Sequence, residues 1–92
     1  IVGRYGGEEF VAIIHFNLNR ELLQFLKRIK TIVTENSFIY KDQKIRVTFS
    51  AGVTLRSSYD TYENALQKAD MLLYQAKESG RNKIVLENGM EI

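Results

Sequence analysis

The chain has 92 residues, enough for one small domain. Hydrophobic residues make up 45% and charged residues 26%, the balance of a soluble globular protein, and the longest apolar run, residues 10–14, is far too short to span a bilayer. Thirteen basic against eleven acidic residues leave a formal net charge of +2, too little to point to nucleic acid. No cysteine is present, which removes disulfide and thiolate-metal chemistry and is compatible with a cytoplasmic setting. The N-terminus carries no signal-peptide pattern.

In chain order, residues 1–5 read as the end of a strand and residues 9–16 as a second strand. Gly6-Gly7 between them predicts a two-residue hairpin turn, which needs positive φ at both central positions. The run Phe10-Val11-Ala12-Ile13-Ile14 does not alternate, as expected of a strand covered on both faces at the centre of a sheet. From Asn19 the period becomes helical. Leu22, Leu26, Ile29 and Val33 form a stripe that Phe25 and Ile32 widen, with Asn17 or Asn19 as cap and Asn36-Ser37 as the end.

Alternation from Ile45 to Leu55 predicts one strand, with residues 38–40 paired to its start through the polar turn Lys41-Asp42-Gln43-Lys44. A second helix follows. Asp60 is its expected cap with Glu63 completing a capping box, and Tyr62, Leu66, Ala69, Leu73 and Ala76 are its buried stripe. Gly80 sits where a helix ends in a left-handed residue. Residues 83–87 close the fold as a strand and residues 88–92 read as a tail. The order is β-β-α-β(hairpin)-α-β: an α/β (α+β sandwich-like) fold with one mixed or antiparallel central sheet and packed helices.

Two places can carry chemistry. Glycines at a hairpin tip let the backbone approach a ligand closely, and Glu8 and Glu9 beside them are hard oxygen donors suited to Mg²⁺. The plain alternative is a Gly-Gly hairpin with solvated glutamates. Adjacent strand residues point to opposite faces, so Glu8 and Glu9 are expected to have different roles. In "YQAKESGRNK", residues 74–83, Lys77 and Arg81 suit a phosphate clamp, one as a point charge and one as a bidentate fork. Capping of the helix C-terminus is the competing explanation. His15, the single histidine, reads as a strand-end residue. Most of the aromatics fall at core positions, so packing explains them better than base stacking.

Together these pieces resemble the GGDEF family of diguanylate cyclases. "RYGGEEF" at 4–10 looks like the signature turn, "VTFSAGV" at 47–53 is similar to a later strand, and "ADMLLYQAKESGRNKI" at 69–84 matches the closing helix and loop. The resemblance implies part of a nucleotidyl-cyclase-like palm fold and the condensation of two GTP into cyclic di-GMP with release of two pyrophosphates. It implies a homodimer in which two such domains face each other, and Mg²⁺ (or Mn²⁺) as the metal. It places Gly6 and Gly7 against the nucleotide, Glu8 and Glu9 as catalytic and metal-binding residues with Glu9 in support, and Lys77 and Arg81 on the terminal phosphates. Asp70 and Tyr74 match the family pattern as helix-positioning residues. No nucleic-acid partner and no membrane segment are expected in this chain, and the location implied is cytoplasmic, with a parent that can be anchored at the inner membrane.

The family's further metal aspartate, guanine-recognition residues and inhibitory product site lie upstream of the signature. Residues 1–92 are therefore expected to be the C-terminal portion of one such domain. Two other functions compete with a cyclase parent: a silent GGDEF module that binds nucleotide or docks a partner, and an unrelated RNA-binding α/β module. The last would need aromatic and basic residues together on an exposed strand face, whereas the alternating strand offers Arg46, Thr48, Ser50 and Gly52. The isolated 92-residue chain is expected to make no cyclic di-GMP; product formed from GTP and Mg²⁺ by the purified chain would overturn this.

Overall fold

A parallel pair of strands cannot be joined by a tight turn, and the crossover that joins the one such pair described here organises the molecule. The computed structural model describes residues 2–4, 10–12 and 19–92. Strands β1 (Val2–Arg4) and β2 (Phe10–Ala12) precede helix α1 (Asn19–Glu35). Strands β3 (Ser37–Tyr40), β4 (Gln43–Arg46) and β5 (Ala51–Val53) follow, then helix α2 (Tyr62–Glu78) and strand β6 (Ile84–Leu86). The class is α/β with the expected order of elements. The described strands, however, pair as three two-stranded sheets, not as one: β1 with β2, β3 with β4, and β5 with β6.

The β5–α2–β6 unit holds most of the core. Ala51, Gly52 and Val53 run parallel to Ile84, Val85 and Leu86, and the helix between them lies across both strands. Leu72, Ala76 and Val85 form the buried cluster, with Ala76 wholly enclosed; Ala65 and Ile84 are buried too. Each large apolar side chain so enclosed contributes roughly 1.5–3 kcal/mol. Gly52 sets the spacing. A β-carbon there would stand 2.1 Å from the Ala69 carbonyl oxygen and 2.5 Å from the Leu73 nitrogen, so helix and strand meet backbone to backbone. Behind it the Thr54 hydroxyl donates to the Ala65 carbonyl at 3.1 Å.

Several sequence expectations are corrected here. The stripe of α2 turns on Ala65, Leu72 and Ala76, while Tyr62 is 49% exposed and lies under the Arg56 guanidinium, 4.7 Å from its ring centre. The N-cap is Thr61, not Asp60: its hydroxyl accepts the Asn64 N–H at 3.1 Å. The 3-10 turn Arg56–Ser58 carries the chain one residue further before the helix starts, which shifts Glu63 out of the capping-box position. Asn19 already lies within helix α1 as described, so it is not the cap, and Asn17 lies outside the described residues. At its end the Asn36 amide donates to the Ile32 carbonyl. Leu26 is buried and Leu22, Phe25, Ile29 and Val33 are half-buried, whereas Ile32 is exposed.

The alternation of residues 45–55 spans two strands. β4 pairs with β3 and β5 with β6, and residues 47–50 carry the chain from one sheet to the other. Side-chain alternation survives such a transfer, so it cannot mark the break. The β3–β4 turn uses only Lys41 and Asp42, with φ of 50° and 63°. Positive φ at both central residues is the turn type whose twist matches a hairpin. This hairpin leaves Phe38, Tyr40 and above all Ile39 (76%) exposed, and the Lys41 ammonium sits 5.3 Å from the Tyr40 ring centre.

In the first hairpin, Arg4 pairs with Phe10. A two-residue turn at Gly6-Gly7 with an unbroken ladder would pair Arg4 with Glu9, so the observed register differs by one residue. Residues 5–9 and 13–18 lie outside the described residues. Among the described strands β2 pairs with β1, and Ile13 and Ile14 of the run expected to be central lie outside the described residues.

Residues 88–92 are no tail. Ile84 and Ile92 exchange both backbone hydrogen bonds at 2.9 Å, and the Leu86 N–H donates to the Met90 carbonyl at 3.0 Å. The segment runs antiparallel to β6, satisfying the edge that β5 leaves open, and turns at Gly89 with φ of 83°. Where that turn begins, Glu87 accepts a hydrogen bond from the Tyr59 hydroxyl; partial burial, then this bond and the Glu87 charge, raise the Tyr59 pKa above its ordinary value. A cleft of about 200 Å³ opens beside it, between Leu22 and Leu23 of α1 and the carboxyl ends of β5 and β6.

The Gly52 contact gives a test. Gly52→Ala drives a methyl group into the backbone of α2 and is expected to cost about 1–3 kcal/mol, read as a lower urea midpoint. Wild-type stability would mean that α2 can move off β5 freely.

Candidate functional site

The two candidate sites fare differently. Gly6, Gly7, Glu8 and Glu9 all lie outside the described residues, as does His15. Among the described residues no three His, Cys, Asp or Glu side chains gather where a metal ion would fit. The described structure therefore bears on the cationic half of the site.

Helix α2 brings that half about. Its last turn carries Lys77, half-buried. The helix then closes with Ser79 as C-cap, and the Arg81 N–H reaches back to the Ala76 carbonyl at 2.9 Å. This six-to-one bond is the Schellman pattern, with a left-handed residue between cap and donor. Gly80 is that residue, at φ of 119°, as the sequence predicts. The left-handed path does not stop there: Arg81 has φ of 62° and Asn82 of 51°. Glycine accepts this region without cost and asparagine often visits it, but arginine rarely does. The exposed Arg81 side chain thus leaves the backbone in a direction that neither helix nor strand would give it.

Neighbouring groups hold the turn in place. The Asn82 N–H donates to the Ser50 hydroxyl at 3.2 Å. The Lys83 ammonium donates to the Ser79 carbonyl at 2.7 Å and pairs with the Glu91 carboxylate at 3.3 Å. Lys83 is thereby one cation at the helix C-terminus, and Lys77 in the last turn is another that the helix dipole favours. Asp70 and Tyr74 are exposed, Tyr74 at 65%, so neither holds α2 through burial.

Sequence reasoning found Lys77, Gly80 and Arg81 and missed Ser50 and Lys83. Ser50 sits at a polar position of an alternating run and gives no signal of its own. Asn82 gave one, since asparagine tolerates a left-handed backbone. Chemically, an ammonium and a guanidinium four residues apart suit the oxygens of a phosphate chain.

The comparisons with known proteins bear on the family of the chain. The family model "Diguanylate cyclase, GGDEF domain" matches residues 1–83. The chain belongs to the GGDEF family. It is 37% identical over 87 residues to diguanylate cyclase A of Treponema denticola, covering 90% of this chain and 23% of that protein. To the response regulator PleD of Caulobacter vibrioides it is 40% identical over 85 residues, 89% of this chain and 19% of that protein. To diguanylate cyclase DgcP of Pseudomonas aeruginosa it is 31% identical over 83 residues, 90% and 12% respectively. The chain spans less than a quarter of the length of these relatives. Family membership accords with the resemblance carried by the signature turn and the closing helix. The family match ends at Lys83, so the returning segment after β6 lies beyond it.

The left-handed arginine yields a stability prediction. Arg81→Gly relieves a conformation that costs an L-residue roughly 1–2 kcal/mol, offset in part by the entropy that glycine adds to the unfolded chain. The expected order of urea midpoints is Gly, then Arg, then Val at position 81. A Val variant as stable as the Gly variant would contradict the left-handed backbone.

Proposed function

We propose that the protein carrying this chain is a diguanylate cyclase, condensing two GTP into cyclic di-GMP with release of two pyrophosphates. The observation that carries the reading is the Arg81 guanidinium, displayed by a left-handed turn one helical turn beyond Lys77, in a chain of the GGDEF family. Lys77 and Arg81 would bind the terminal phosphates of one GTP. Gly6 and Gly7, without side chains, would lie along the nucleotide.

In the reaction, each 3′-hydroxyl gives up its proton, to water or a carboxylate, as its oxygen bonds to the α-phosphorus of the other nucleotide. The bond from that phosphorus to the bridging oxygen breaks, and pyrophosphate leaves with the electron pair. Each domain holds one GTP, so a second copy must face the first. Most of the rate gain in such a transfer comes from positioning and from neutralising charge on the phosphates. Cations that grip the terminal phosphates stabilise the charge that builds up on the departing pyrophosphate.

Glu8 and Glu9 are hard carboxylate donors, the type Mg²⁺ (or Mn²⁺) takes together with substrate phosphates. Bound there, the metal would supply further charge neutralisation at the phosphates. Glu8 is assigned the catalytic place and Glu9 a supporting one. No helix among the described residues is long and apolar enough to cross a membrane, and GTP as substrate places the reaction in the cytoplasm.

Glu8→Gln in the full-length protein keeps the shape and removes the charge. Pyrophosphate release is expected to fall by about 10²–10³. Turnover that survived the change would remove Glu8 from the mechanism. Nucleotide binding without turnover in the unsubstituted protein would replace the cyclase reading with a silent binding module.

A further inference from the structure

Three consecutive residues, Gly80, Arg81 and Asn82, occupy the left-handed region at 119°, 62° and 51°. One such residue is an ordinary helix end. Strained conformations like the second and third persist only where the surroundings hold them. The helix-closing bond from Arg81 N–H to the Ala76 carbonyl accounts for Gly80. It does not account for Asn82, whose N–H is taken instead by the Ser50 hydroxyl, 32 residues earlier in the chain.

Ser50 is itself well placed to act as an anchor. The next residue, Ala51, donates its N–H to the Lys83 carbonyl at 3.0 Å, and Gly52 presses β5 against the backbone of α2. The position of the Ser50 hydroxyl is therefore set by α2 and β6 together. Arg81 lies between the helix bond on one side and the Ser50 bond on the other. Its side chain is exposed, yet its Cα direction is fixed.

We propose that Ser50 and Asn82 are positioning residues for Arg81: the bond from Asn82 N–H to the Ser50 hydroxyl holds the left-handed turn that aims Arg81 at the terminal phosphates of a nucleoside triphosphate. This inference rests on the cyclase reading above and adds to it a cause for the arginine's direction. A guanidinium already aimed loses less freedom on binding than one that must search for its partner. Removing the anchor weakens the triphosphate and spares a ligand that does not reach Arg81.

Calorimetric binding to the full-length protein tests this, with a non-hydrolysable GTP analogue and Mg²⁺ as one probe and GMP as the other. Ser50→Ala is expected to weaken the analogue about fivefold, the worth of one hydrogen bond, and to leave GMP binding unchanged. Ser50→Thr, which keeps the hydroxyl, restores the affinity. In an Arg81→Ala background Ser50→Ala has no further effect. Should the Ser50 variant fail to fold, position 82 reports on the same bond. Asn82→Gly keeps the N–H and the left-handed backbone and binds the analogue as the wild type does, whereas Asn82→Val disfavours that backbone and binds it more weakly, with GMP again unaffected. Equal weakening of both probes, or additivity of Ser50→Ala with Arg81→Ala, would reduce Ser50 to a structural residue and overturn the proposal. If Arg81→Ala alone left the analogue's affinity unchanged, the phosphate-clamp reading would fall first. A phosphate effect at Arg81 with none at Ser50 would overturn only the positioning claim.

Discussion

The approach of β5 to α2 at Gly52 is the constraint on which the described structure turns. Helices usually meet sheets through side chains, which leave a layer of several ångströms between the two backbones. At Gly52 that layer is missing: the strand backbone faces the Ala69 carbonyl and the Leu73 amide directly. The small residues Ala65, Ala69 and Ala76 on the helix permit the same closeness along its length. With so little space between the layers, α2 has few ways to shift along or rotate over the strands.

Both ends of the unit inherit their geometry from that contact. Parallel strands share one direction and the crossover helix runs back between them. The helix C-terminus therefore lies where the strands begin, and its N-terminus where they end. At the first end sit Lys77, the left-handed turn and the Ser50 hydroxyl. At the other are the Thr61 cap, the Thr54 bond to Ala65 and the cleft beneath α1. A rigid middle lets a bond between residues 50 and 82 remain in register although the two are far apart in the chain. The same rigidity sets the direction in which the Arg81 side chain leaves the backbone.

How much of this was legible in the sequence depended on the range of the interaction. Elements driven by local period were clear: both helices, the β5 and β6 segments and the left-handed Gly80. Features set by one residue's hydrogen bonding were displaced by a position, as when Thr61 took the cap that Asp60 and Glu63 suggested. Sheet membership was not legible, because residues 45–55 alternate continuously while the chain changes partner in the middle. The polar run 41–44 marked the β3–β4 turn, but not its two-residue length, since neither Lys41 nor Asp42 is the glycine that positive φ favours. The returning segment did leave a trace: Asn88-Gly89 is a hairpin pair, but Met90-Glu91-Ile92 is too short to show a strand period. At the site, Lys77 and Arg81 were visible as charges near a helix end. What sets Arg81 apart from an ordinary helix-capping cation is the backbone at 81 and 82, which required coordinates.

That backbone also bears on why the site tolerates local disagreement with sequence preference. Much of the described chain agrees with itself across levels: Ala65, Leu72 and Ala76 of α2 face the core, Thr61 caps that helix, and Gly52, Gly80 and Gly89 sit where close approach or positive φ demands them. Arg81 is an exception, a long cationic side chain placed where glycine would be more comfortable. Natural sequences keep such conflicts mainly where function needs them. The neighbours are arranged to contain the conflict, with Gly80 before it, Asn82 after it, and a hydroxyl from another element on the Asn82 amide. A capping cation would need none of this, because the helix dipole acts on charge and not on direction. The combination of strain and external anchoring is what a residue requires when the orientation of its side chain, and not merely its charge, is put to use.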